Sequence, residues 1–181
     1  MPISNNINAI IFDIGNVLID IDYEVMISRF TEMANIDFHQ IVTFAHQHPV
    51  FDQYEKGQIS SAEFRAALRR YLRPEAQDAE IDTAWNSMLI HYPPAKFELL
   101  KRLRGQYKLF ALSNINELHA DAIEADVRAR FGGGMRSYFD RRTTRMRWGT
   151  GNLRKKYTRR SWRMKIWILP APYSSMTKQR I

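Results

Sequence analysis

Two positions, Asp13 and Ser113, stand where a side chain can do chemistry. Asp13 follows the short apolar run Ala9-Ile10-Ile11-Phe12 and opens the turn Ile14-Gly15-Asn16. Ser113 and Asn114 follow a second run, Tyr107-Lys108-Leu109-Phe110-Ala111-Leu112. Short apolar runs that end in turn signals read as buried strands. A carboxylate at such a strand end can attack phosphorus, and the aspartyl-phosphate formed divides one hard displacement into two easier ones. Nucleophile and phosphate together carry negative charge that a hard cation must offset, and Mg²⁺ with oxygen ligands suits. A hydroxyl at the end of the neighbouring strand, Ser113, can donate to a phosphate oxygen, with the Asn114 amide to help. Either residue alone reads more plainly as a turn former or helix cap. Their joint placement favours chemistry.

The elements that must hold these residues follow from periodicity. Met26, Phe30 and Met33 share one helix face. Ser60 with Glu63 forms a capping box, and Phe64, Ala67, Leu68 and Tyr71 follow at helical spacing. Ile81, Trp85, Met88 and Leu89 make another stripe; after the Pro93-Pro94 break, Phe97, Leu100 and Leu103 begin a helix that leads into the second strand. Strands with helices before and between them predict an α/β sheet. The residues between Asp22 and Pro93, about 70, are too many for one crossover and predict a helical insertion over the strand ends. Ligands of open α/β sheets bind at the carboxyl ends of the strands, where Asp13 and Ser113 fall.

The composition excludes several classes. With 181 residues there is room for one domain and a small insertion. No cysteine is present, so disulfides, thiolate metal sites and Cys nucleophiles are ruled out. The N-terminal apolar run is short and followed by acidic residues, unlike a signal peptide, and no stretch is apolar enough to span a membrane. The expectation is a cytoplasmic protein. The net charge of +8 is unevenly spread. Residues 1–140 carry all 19 Asp and Glu against 14 Lys and Arg, a net −5, whereas the last 41 residues hold 13 Lys and Arg and no acid. An acidic body and an acid-free tail need separate explanations.

The run Ile10-Ile11-Phe12-Asp13-Ile14-Gly15-Asn16-Val17-Leu18 resembles the first motif of the haloacid dehalogenase (HAD) superfamily. Leu109-Phe110-Ala111-Leu112-Ser113-Asn114 resembles its second, and Tyr54-Glu55-Lys56-Gly57-Gln58-Ile59-Ser60 is similar to a stretch in the helical cap of the branch that includes α-D-glucose-1-phosphate phosphatase. The resemblance covers residues 8–140 in order. It implies a Rossmann-like parallel sheet core over 1–22 and 94–140, a helical cap over 23–93, and a core left incomplete after residue 140. It also implies a Mg²⁺-dependent phosphatase acting on a small phosphate ester, with a sugar phosphate favoured. Asp13 would be nucleophile and metal ligand, the Gly15 carbonyl a second ligand, and Ser113 and Asn114 would bind substrate. Most phosphatases of the superfamily place a second Asp two residues after the nucleophile as general acid. This chain has Gly15 there, a form that occurs in the resembled branch; Asp20 and Asp22 are near, but neither is assigned the role.

Two further motifs expected by the resemblance, a Lys and a later acidic pair, are missing after Asp140. Residues 141–181 read instead as a shifted reading frame, and the genetic code provides a check. With each codon begun one base earlier, Trp148-Gly149 forces glycine, and Trp167-Ile168 and Met176-Thr177 each force aspartate. With allowed codon choices, Met146 to Tyr157 reads Glu-Met-Gly-x-Arg-Lys-Pro-Glu-Glu-Glu-Ile-Tyr. Met164 to Lys178 likewise reads Asp-Glu-Asp-Leu-Asp-Pro-Ala-Ser-Thr-Leu-Phe-Ile-Asp-Asp-Lys. These resemble the missing Lys-Pro motif and acidic pair, in order. The polypeptide as written would then be poorly soluble, with little or no turnover.

Other signals read plainly. His46-Gln47-His48 lacks a third ligand at motif spacing and reads as a solvated pair. Gly132-Gly133-Gly134 lacks a phosphate-loop pattern and reads as a flexible connection. The alternative to a phosphatase is a non-catalytic nucleic-acid-binding protein, in which the tail's cations and Trp148, Tyr157, Trp162, Trp167 and Tyr173 contact backbone and bases. No specific nucleic acid and no membrane partner is expected. The sequence sets neither the substrate nor the oligomeric state.

Overall fold

The computed structural model describes residues 7–35, 49–113, 115–140 and the backbone of 166–170. Strand β1 (Ile7–Phe12) pairs in parallel with β4 (Lys108–Ala111), with Phe12 opposite Ala111. Ala9, Ile10, Ile11 and Phe12 are all buried. A strand buried on both faces must be apolar throughout, which is why this run shows no alternation.

The other edge of β1 is taken by β5 (Ile166–Pro170), running antiparallel, so the described sheet has the order β4-β1-β5. The run Ile166-Trp167-Ile168-Leu169 is rich in β-branched and aromatic residues. Such a run satisfies an edge that would otherwise leave its backbone groups unpaired. At the far edge of β4, Asp140 closes the ladder: its N–H donates to the Leu109 carbonyl at 2.8 Å and its carboxylate accepts from Leu109 N at 3.0 Å. Burial raises the Asp140 carboxyl, but the Leu109 N–H and Lys108 outweigh it and hold the group below the usual carboxylate range.

Between β1 and β4 lie α1 (Tyr23–Met33), α2 (Pro49–Glu55), α3 (Ser61–Arg69) and α4 (Asp78–Asn86), then α5 (Pro94–Arg104). The stripes are buried as expected: Met26, Phe30 and Met33 on α1, Phe64 and Leu68 on α3, Ile81 and Trp85 on α4, Phe97 and Leu100 on α5. The Ser60–Glu63 capping box forms, which satisfies two donors at the start of α3. Two elements were not legible. A two-stranded antiparallel sheet joins β2 (Asp20–Ile21) to β3 (Leu89–His91), so Leu89 lies in a strand and not in the helix its spacing suggests. The longest described helix, α6 (Glu117–Phe131), carries no clean apolar stripe.

Gly132 is the left-handed C-cap of α6, with φ 77° and its N–H donating to the Arg128 carbonyl. The glycine run therefore begins as a helix stop and not as a flexible connection, because only a residue without Cβ takes that conformation freely. A short 3-10 turn, Met135–Tyr138, follows, and Tyr138 and Phe139 are buried in the core. Besides a small cluster of Ala9 and Ile11 with Phe110 and Leu112, two larger apolar clusters result. One surrounds β1 and β4 with α5 and α6; the other is built by α1–α4 and takes in Leu118 from α6. Among the described residues no helix is long and apolar enough to cross a membrane.

Candidate active site

Parallel pairing decides where the two chemical residues meet. Because β1 and β4 run the same way with Phe12 opposite Ala111, Asp13 and Ser113 leave adjacent strands at the same end. The Leu112 N–H donates to the Phe12 carbonyl at 2.9 Å, which carries the pairing to the edge of the site. Both residues are partly exposed, as groups that must reach a ligand require. Asn114 and the His46–His48 pair lie outside the described residues.

The turn after Asp13 is tightly held. Asp13 Oδ1 accepts from Ile14 N at 2.7 Å, and the Ile14 carbonyl accepts from the N–H groups of Val17, Leu18 and Ile19. Asn16 takes a left-handed conformation, φ 54°, that asparagine tolerates better than most residues, and its Oδ1 accepts from Ile21 N at 3.0 Å. A Cβ at Gly15 would stand 2.8 Å from Ile21 Cδ1. A side chain at position 15 would therefore need the end of the Ile21 side chain to turn aside. The nearby acids are engaged elsewhere. Asp20 pairs with Lys96 at 2.8 Å, and Asp22 is the N-cap of α1, accepting from Glu24 N at 2.9 Å.

The Asp13 carboxylate and the Gly15 carbonyl are hard oxygen donors of the kind Mg²⁺ takes. Among the described residues no cluster of three or more His, Asp or Glu could hold a metal. The Ser113 hydroxyl offers a phosphate a donor on the neighbouring strand end. A surface depression lined by Glu24, Ile27, Ser28, Thr31 and Glu32 belongs wholly to α1 and includes no candidate site residue.

Sequence reasoning missed the residues behind Ser113. Asn116 caps α6: its buried Oδ1 accepts from His119 N at 3.0 Å and from Trp85 Nε1 at 3.3 Å. The His119 ring stacks on Trp85, centroids 5.0 Å apart, and its Nδ1 lies 2.8 Å from Asn86 Oδ1. Burial pushes the His119 imidazole down to about 3. Tyr54 is buried, which raises its phenol, and its oxygen accepts from Leu118 N at 3.3 Å. The only sequence signal was Asn116 ahead of a helix, an N-cap pattern.

No family model matches the chain. A curated relative, the D-ribitol-5-phosphate phosphatase of Bacteroides thetaiotaomicron, is 30% identical over 110 residues, or 61% of this chain and 53% of the relative. The chain thus spans about half the length of that protein. Among solved structures, a HAD family enzyme from the same organism in complex with magnesium and inorganic phosphate is 34% identical, with a TM-score of 0.66, over 74% of this chain and 66% of that one. A HAD-like family hydrolase from Porphyromonas gingivalis is 32% identical, with a TM-score of 0.63, over 74% of this chain and 64% of that one. A second crystal structure of the Bacteroides enzyme is 33% identical, with a TM-score of 0.66, over 76% of this chain and 67% of its own. Sequence and fold likeness agree, and the chain belongs to the HAD family of hydrolases.

Proposed function

We propose that this is a Mg²⁺-dependent phosphatase of a small phosphorylated metabolite, working in the cytoplasm on a sugar or sugar-alcohol phosphate. The parallel β1–β4 register, which brings Asp13 and Ser113 to one end of adjacent strands, carries this reading. An Asp13 oxygen attacks phosphorus, the bond from phosphorus to the ester oxygen breaks, and an aspartyl-phosphate remains for water to cleave. Ser113, with Asn114, donates to the phosphate oxygens. Asp13 and the Gly15 carbonyl would hold Mg²⁺, which when bound offsets the charge on nucleophile and phosphate. The relative's activity on D-ribitol-5-phosphate favours a phosphorylated polyol among substrates. Residues 1–22 and 94–140 form the core and 23–93 the cap.

Residues 141–181 are best accounted for as a shifted frame, which removes the Lys and the acidic pair. The nucleotide sequence from codon 138 onward tests this directly: if the frame one base earlier does not encode the Lys-Pro stretch and the acidic pair, the reading is refuted. The activity is tested by hydrolysis of an aryl phosphate with Mg²⁺, in this chain and in its in-frame counterpart. Turnover in the in-frame protein should vanish in Asp13→Asn. Retention of full activity in that variant would end the proposal.

A further inference from the structure

The first turn of α6 is held by the cap residue by residue. Asn116 Oδ1 accepts from Trp85 Nε1 at 3.3 Å; the Glu117 carboxylate accepts from Ser61 Oγ at 2.6 Å. Leu118 N donates to the Tyr54 oxygen at 3.3 Å, and His119 pairs with Asn86 at 2.8 Å while stacking on Trp85. Four consecutive residues therefore each have a partner between positions 54 and 86. The first N–H groups of a helix have no partner within it. Here one is satisfied by the Asn116 cap and one by a tyrosine of the cap, so this helix end is a docking point. The apolar contacts agree: Leu118 packs in the cluster of α1–α4. This anchored turn begins three residues after Ser113.

We infer that Tyr54 and Trp85 are positioning residues that fix Asn116 and the start of α6, three residues after Ser113, so that phosphate binding at Ser113 depends on how the cap is seated. The inference rests on the assignment of Ser113 to the phosphate. The Tyr54 ring stacks on Phe64 at 4.2 Å and meets Trp85 at 6.3 Å, so the two anchoring residues share one aromatic cluster. A shift of that cluster moves both hydrogen bonds together.

The test uses the in-frame counterpart of the chain as parent, which keeps the Lys and the acidic pair, and inorganic phosphate with saturating Mg²⁺, read by ³¹P line broadening. Tyr54→Phe combined with Trp85→Phe keeps an aromatic ring at each position and removes the two polar contacts to α6, together with the Tyr54 bond to Ser61 Oγ at 2.9 Å. Phosphate affinity should fall about tenfold, the equivalent of roughly 1.4 kcal/mol in binding. Arg65→Gln is the control, because Arg65 pairs with Asp82 between α3 and α4 at 2.7 and 2.8 Å and does not touch α6. It should lower the melting temperature and leave phosphate affinity unchanged. Unaltered affinity in the double variant, or an equal loss in Arg65→Gln, overturns the inference while the site assignment stands. If Ser113→Ala binds phosphate as the parent does, or the parent binds none, the site assignment itself falls and the inference with it.

Discussion

Acidification from about pH 7.5 to about pH 5 should weaken this fold through one side chain, His119. Its ring is buried against Trp85, and burial pushes its pKa from 6.5 to about 3. In the folded chain the imidazole stays neutral until the pH nears 3, whereas in the unfolded chain it takes a proton below 6.5. Between those values the unfolded state binds one more proton. Stability is thus fully present above the unfolded pKa and is lost as pH falls through the window, by about 1.4 kcal/mol per unit. At pH 5 the loss from this group reaches about 2 kcal/mol, a figure that requires only a folded pKa well below 5. Against a typical domain stability of about 5–15 kcal/mol, that is a readily measured change.

Urea unfolding of the parent and of His119→Phe at both pH values isolates the effect. Phenylalanine keeps a flat ring on Trp85 and removes the titration. Every other titrating group is common to the two proteins, so the parent's stability should drop about 2 kcal/mol further than the variant's on going to pH 5. Urea is preferred because a guanidinium salt would screen the charges under study. Equal pH dependence in both proteins would mean that His119 is solvated or already protonated, and the buried, neutral imidazole would have to be abandoned.

Further outcomes follow from individual contacts. Gly15→Ala places a Cβ 2.8 Å from Ile21 Cδ1, a side-chain end that can turn aside at the cost of an off-rotamer angle, and should cost about 0.5–1.5 kcal/mol in urea unfolding. Adding Ile21→Val removes the clashing atom, and the double variant should recover much of that loss; strict additivity would show that the contact is not the cause. Phe64→Ala empties a fully buried site stacked on Tyr54 and should cost about 3–5 kcal/mol, seen as a lower denaturation midpoint. Gly132→Ala forces a left-handed backbone, φ 77°, on alanine and should cost about 1 kcal/mol with no change in phosphate binding.

The chain's own pattern determined the parts of this protein whose physics is local. The short apolar runs at 9–12 and 109–112, each bounded by turn signals, read as buried strands, and helical spacing marked the buried faces carried by Phe30, Phe64, Trp85 and Phe97. The same runs delivered Asp13 and Ser113 to strand ends. Tertiary structure alone decided that those ends coincide, because parallel register is a relation between segments about 100 residues apart and leaves no local mark. It also decided the fate of Leu89, whose helical spacing yields to pairing with Ile21, and of β5, whose apolar run takes the open edge of β1. The network around Asn116 was illegible for the same reason. Its partners Tyr54, Ser61, Trp85 and Asn86 come from three separate helices, and hydrogen bonds between distant side chains have no periodicity to read.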